Sequence, residues 1–278
     1  MSKLVTFLVP TDFSAAAKNA ARYAAGLGAQ VGARVVLLSV IEMDTSETVL
    51  SNWRKLEAQM KKSAARDLEK LKAELTAAVG SKAEITTDIT EGIPMEQAIA
   101  RYAAEKQADL VIMGTKGAAG LKKILQGSNT ARLMEISPVP VIAVPSKAAF
   151  NQMKKVVYAT DMKNIGEETR RLARIAEPFQ AQILILHCVP EGSPARVDRN
   201  LEPELINQAE YGAISYHQVQ SDEVGAAIAL FMDENKADML VMFTHQRGFF
   251  DKLLGKSVTR AMAFQSRVPL LSFNRPVS

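Results

Sequence analysis

The sequence predicts an α/β fold laid down twice in tandem, each copy built on a parallel sheet with helices on both faces. Three observations carry this. Short, nearly continuous apolar runs alternate with helical patterns, as expected of βαβ units whose strands are buried on both sides. The second half repeats the first feature by feature. The length, 278 residues, suits two domains of ordinary size.

The repeat is read directly. Lys3–Asp12 (KLVTFLVPTD) matches Gln152–Asp161 (QMKKVVYATD), both apolar strands ending in Thr-Asp. Ala33–Ile41 (ARVVLLSVI) matches Ala181–Val189 (AQILILHCV). Ala98-Ile99-Ala100 matches Ala227-Ile228-Ala229, and Ala108–Met113 (ADLVIM) matches Ala237–Met242 (ADMLVM). Ser137-Pro138-Val139-Pro140 matches Ser266-Arg267-Val268-Pro269. The offset falls from 149 at the first Asp to 129 from Ala98 onward, so the second copy lacks about twenty residues between its second strand and third helix. Preserved order with one deletion is a duplication. The apolar pattern lapses over Ser146–Gln152, which predicts domains at 1–147 and 152–278.

Element by element, the first copy predicts strands near 4–9, 33–41, 83–89, 109–113 and 140–144, with helices near 14–31, 49–79, 94–106 and 128–136. Asp12 and Ser14 stand where an N-cap belongs. The second helix carries Trp53, Leu56, Met60, Ala64, Leu68, Leu71 and Leu75 at three- and four-residue steps, a stripe expected to pack against core or interface rather than to hold a cofactor.

Composition removes several classes. One cysteine, Cys188, permits no intrachain disulfide and predicts a reducing, cytoplasmic setting. No segment reaches the roughly 20 apolar residues of a membrane span, and the short run Leu4–Val9 followed by Pro10-Thr11-Asp12 predicts a buried strand rather than a secretory signal. The net charge is +4, from 19 Lys and Arg against 15 Asp and Glu in residues 1–147; the remainder balances. The basic residues come only in pairs such as Lys61-Lys62 and Lys122-Lys123, which predicts solvated helix faces and no nucleic-acid partner.

The informative stretch follows the fourth strand. Val111-Ile112-Met113-Gly114-Thr115-Lys116-Gly117 is followed by nine residues and then Gly127-Ser128-Asn129-Thr130. Gly114 and Gly117 lack Cβ atoms, which predicts backbone amides that can approach an anion. Gly127 and Ser128 open a helix whose free amides and positive dipole end favour negative charge. Loop glycines alone merely turn a chain. The full spacing after a buried strand is more specific.

On this spacing, together with Val9–Ser14, Gly92-Ile93-Pro94 and Ser137–Val141, the chain resembles the universal stress protein family, the tandem two-domain type. The resemblance implies doubly wound five-stranded domains of strand order 3-2-1-4-5, with ATP lying across the carboxyl ends of the first and fourth strands. It implies that Pro10, Thr11 and Asp12 line the adenosine side and that Val40 offers backbone groups to adenine. Gly114, Thr115, Lys116 and Gly117 would wrap ribose and phosphates. Gly127, Ser128, Asn129 and Thr130 would hold the outer phosphates, with Mg²⁺. Capping stays open as the alternative for Asp12, and a solvated loop side chain for Lys116.

The second copy departs where it matters. Phe243 replaces Gly114, Gln246 replaces Gly117 and Lys256 replaces Gly127, which predicts a half without nucleotide. His187, His217, His245 and Cys188 all fall in that copy. Yet His187 and Cys188 are neighbours on a strand and point to opposite faces, so no metal site is expected. Nor is a catalytic residue, because the first copy holds no histidine triad and no His-rich phosphate motif. The functional expectation is an adenine-nucleotide-binding stress or signalling protein with at most slow ATP hydrolysis. The alternative is an interaction scaffold without nucleotide. Family resemblance further implies an intramolecular pseudo-dimer through the last strands, with pairing of whole chains left open; Pro140 and Pro269 suit edge positions there.

Overall fold

The computed structural model describes residues 5–42, 50–115, 129–150, 152–193, 200–244 and 267–274. In the first half β1 (Thr6–Pro10), β2 (Arg34–Ile41), β3 (Glu84–Glu91), β4 (Leu110–Gly114) and β5 (Val141–Val144) alternate with α1 (Ala15–Val31), α2 (Leu50–Val79), α3 (Met95–Glu105) and α4 (Asn129–Ile136). In the second half β6 (Lys155–Thr160), β7 (Gln182–Val189), β8 (Ile214–Gln220), β9 (Met239–Thr244) and β10 (Leu270–Asn274) accompany α5 (Ile165–Ala176), α6 (Leu201–Ala209) and α7 (Val224–Asn235).

All ten strands form one sheet in the order β3-β2-β1-β4-β5-β10-β9-β6-β7-β8. Each half therefore shows the order 3-2-1-4-5, with its strands parallel. The halves meet at the last strands, where β5 and β10 run antiparallel with Ala143 opposite Leu270 and Val141 opposite Ser272. The missing residues of the second half come out of its second helix: α2 has 30 residues and α6 has 9.

Burial on both faces explains the near-continuous apolar runs. Alternate residues feed two cores. Phe7, Val9, Ile112, Val144, Tyr158, Val241 and Phe273 belong to one; Leu8, Val111, Ala143, Val157, Leu240 and Met242 belong to the other. Each core runs through both halves, as the shared sheet requires.

Local chemistry sets the helix ends. Ser14 caps α1, its hydroxyl accepting from the Ala17 amide at 3.3 Å, and Gly32 ends that helix at φ 68°, a left-handed conformation that glycine adopts without penalty. The repeated Ala-Asp pair has a structural role in both halves. Asp109 accepts from the Thr6 amide at 2.8 Å, and Asp238 from the Lys154 and Lys155 amides at 2.8 and 2.9 Å. Each carboxylate thus secures the start of its half's first strand.

The segment between the halves is fastened to α1. Asn19 donates to the Pro145 and Ala148 carbonyls, each at 3.0 Å. Gln30 donates to the Met153 carbonyl and accepts from its amide at 3.1 and 3.0 Å. Between them the Phe150 ring meets Tyr23 edge-on at 5.3 Å.

Candidate functional site

β1 and β4 are adjacent in the sheet but their connections leave in opposite directions, which makes their carboxyl ends a switch point where open α/β sheets bind ligands. A cleft of about 540 Å³ opens there, within the range of small-ligand sites. Pro10, Thr11 and Asp12 line it from the end of β1, Ser39, Val40 and Ile41 from β2, and Met113 and Gly114 from β4. Asn129 and Thr130 close it at the start of α4, and Met95 at the start of α3. Of the residues predicted from sequence, Pro10, Thr11, Asp12, Val40, Gly114, Asn129 and Thr130 come together here. Lys116, Gly117, Gly127 and Ser128 lie outside the described residues.

Thr115 does not join them. Its amide and hydroxyl both donate to the Val144 carbonyl, at 3.0 and 3.4 Å, and it is buried. The reason is register: β4 pairs with β5 up to Gly114 opposite Val144, and Thr115 extends that pairing instead of turning to the cleft.

Gly114 also has a packing role that its place in the loop spacing does not show. A Cβ at Gly114 would stand 2.4 Å from the Ala16 carbonyl oxygen and 3.1 Å from the Ala17 amide nitrogen. The missing side chain admits the first turn of α1 against β4. Thr130 reinforces the junction by donating from its hydroxyl to the Gly114 carbonyl at 3.1 Å.

Asp12 shapes its own loop. Its carboxylate accepts from the Ser14 amide at 3.0 Å, and the Thr11 hydroxyl from the Phe13 amide at 3.1 Å; Phe13 sits at φ 61°. The second half repeats this: Asp161 accepts from Lys163, Thr160 from Met162, and Met162 sits at φ 66°. The Thr-Asp pair therefore builds the turn in both copies, with or without the glycine pattern. Asp12 remains exposed at the cleft.

Val40 is placed by strand period. The Leu38 carbonyl accepts from the Thr11 amide at 2.8 Å, the last bond from β2 toward β1. Two residues on, the Val40 amide and carbonyl point the same way, where β1 has ended.

Sequence reasoning missed one wall. Met60, Ser63, Ala64 and Asp67 of α2 line the cleft, so two residues of the apolar stripe and two polar neighbours face it. Ala64, Leu68, Leu71 and Leu75 are buried as expected, but Leu56 and Met60 are 46% and 41% exposed. The periodicity marks a face. It does not mark where the sheet beneath that face stops.

Among the described lining residues the ionised groups are Asp12 and Asp67. Lys61, beside Met60, is held between Glu57 at 2.6 Å and Glu91; hydrogen bonds to these two carboxylates raise its pKa.

At three aligned positions the second half carries a packed aromatic cluster. Phe243 is buried, stacks on Phe273 at 4.4 Å and meets Tyr158 at 5.4 Å. Arg171 lies 5.4 Å from both the Phe243 and Phe273 rings. Tyr158 donates to the buried carboxylate of Glu168. At the aligned positions the first half has Gly114, Val144 and Val9. His187 contacts the Tyr216 hydroxyl at 3.2 Å and His217 the Ser215 hydroxyl at 2.9 Å, while burial pushes the Cys188 thiol up to about 11. Among the described residues no three His, Cys, Asp or Glu converge on a metal-sized point, and no helix is long and apolar enough to cross a membrane.

The fold and the switch-point cleft define a duplicated, doubly wound α/β protein. The universal stress protein family matches twice, over residues 5–145 and 153–273; the chain belongs to that family. It is 30% identical over 139 residues to universal stress protein MJ0531 of Methanocaldococcus jannaschii, covering 49% of this chain and 79% of that one. It is 33% identical over 141 residues to universal stress protein Sll1654 of Synechocystis, covering 50% and 85%. A universal stress protein crystal structure from Archaeoglobus fulgidus matches with a TM-score of 0.68 at 21% identity, over 97% of this chain and 96% of that one.

Proposed function

We propose that the first half binds an adenine nucleotide, ATP with Mg²⁺, as a conformational or signalling ligand that is hydrolysed slowly at most. The observation that carries this reading is the Val40 backbone at the switch-point cleft. An amide and a carbonyl on one residue, facing the end of β1, match the acceptor and donor on the Watson–Crick edge of adenine. Cleft volume and apolar walls from Val40, Ile41, Met60 and Met95 suit a purine. The glycine-rich segment after β4 leads toward the start of α4, where helix amides favour phosphate.

Mg²⁺ would arrive with the triphosphate, in keeping with its preference for phosphate oxygens and water over an all-protein cage. The carboxylates in the described lining belong to the adenosine end.

Phe243, Phe273 and Tyr158 support one nucleotide per chain. Mass spectrometry of small molecules released from freshly purified protein should detect adenine nucleotide, and calorimetry with ATP and Mg²⁺ should give a stoichiometry of one. A stoichiometry of two would restore the second site. Neither co-purifying nucleotide nor binding heat would leave the scaffold reading in its place.

A further inference from the structure

The α2 wall of the cleft has no counterpart among the described residues of the second half, where α6 has 9 residues against 30. Met60, Ser63 and Asp67 recur at three- and four-residue steps, so they share one helix face, and all three line the cleft. Ser63 and Asp67, one turn apart, place a hydroxyl beside a carboxylate. Neither side chain makes a hydrogen bond within the described residues. Asp67 lies 3.6 Å from the Arg66 Nε, beyond hydrogen-bond length, and Arg66 is 78% exposed, so solvent screens the pair. On the opposite wall the Asp12 carboxylate is engaged with the Ser14 amide, and the Lys61 ammonium is held by Glu57 and Glu91.

Asp67 and Ser63 therefore bring acceptor capacity to the α2 wall of the cleft. An ionised carboxylate only accepts hydrogen bonds, and a vicinal diol offers two O–H donors that it can take together. A phosphate in the same place would meet like charge at short range. The same logic lets an acidic residue accept a nucleoside 2′-hydroxyl and refuse a 2′-phosphate in dinucleotide sites.

We propose that Asp67, assisted by Ser63, is a specificity-determining residue that reads the ribose hydroxyls of the bound nucleotide and excludes ligands phosphorylated on those hydroxyls. The inference rests on the nucleotide reading above and names a determinant that reading does not include. It also orients the ligand: the Asp67 carboxylate directs the polyphosphate away from α2.

The test is calorimetric titration of the full chain and its Asp67→Ala and Asp67→Asn variants. The ligands are ATP, its 2′-deoxy and 3′-deoxy analogues, adenosine 5′-monophosphate and adenosine 3′,5′-bisphosphate. The unaltered chain should bind ATP about tenfold more tightly than at least one deoxy analogue, the worth of a hydrogen bond to a charged group. In Asp67→Ala that preference should collapse, and in Asp67→Asn the bisphosphate should gain on the monophosphate. Equal affinity of the unaltered chain for ATP and both deoxy analogues overturns the proposal, as does a preference that survives Asp67→Ala. Absence of any nucleotide binding by the unaltered chain is a different outcome, which removes the nucleotide reading and this inference with it. Asp67 is partly exposed on a helix surface, so thermal melts should show both variants folded.

Discussion

Gly114 is where a residue's chemistry and its setting diverge most. From the sequence it is a loop glycine in a phosphate-type spacing; in the fold it is the contact that lets α1 lie against β4. Gly114→Ala should therefore lower stability by about 1–3 kcal/mol, the usual cost of forcing a methyl into a packed junction, seen as a lower midpoint in urea or heat. A variant as stable as the parent would show that α1 yields easily. Val40→Pro makes a cleaner probe of the cleft, because it removes an amide that faces the end of β1. Nucleotide affinity should fall at least about tenfold, the worth of one well-placed hydrogen bond, with the melting transition kept.

His187 and His217 supply a pH prediction at the same scale. Burial lowers both pKa values, with Asp161 and Glu202 respectively pulling in the opposite direction. The unfolded chain then takes up protons before the folded one does. Stability attached to the neutral rings is present above about pH 6.5 and is lost as pH falls through the lowered values. Melting temperature should drop between pH 7 and 5, and less steeply in a His187→Gln, His217→Gln double variant.

At the scale of elements, most of the architecture was readable. Each predicted strand and helix of the first half has its counterpart within a few residues, because a strand buried on both faces must be apolar throughout and a surface helix must alternate. The Thr-Asp pair was legible as a repeat, and its turn-building role only from hydrogen bonds. The α2 contribution to the cleft was not legible. Met60 and Asp67 lie 20 and 27 residues beyond Val40 in the chain, and only packing against the sheet returns them to it. Nor could composition announce how the connecting segment is held, since Asn19 and Gln30 look like ordinary polar positions on α1. Asn19→Ala leaves the Pro145 and Ala148 carbonyls without that donor and should cost about 1–3 kcal/mol. Hydrogen exchange should then quicken over 145–153 before it changes in β1 or β6. Uniform protection there would count against the clasp.

The whole molecule is organised by its central seam. Four residues of β5 and five of β10 join the two five-stranded halves into one sheet, and they cover what would otherwise be an open edge on each half. An isolated first half would carry β5 bare, an invitation to self-pairing. A fragment of residues 5–145 should sediment as a dimer, whereas a monomer would show that the edge is shielded by something other than β10.

The antiparallel sense of that seam has a geometric result for communication. Strands of the two halves point in opposite directions, so the carboxyl end of every first-half strand lies on one long rim of the sheet and that of every second-half strand on the other. A molecule lodged beside Asp12 and one docked near Asp161 would never meet. One element touches both regions: the first turn of α1 borders the cleft while its later turns grip the tether to the other half.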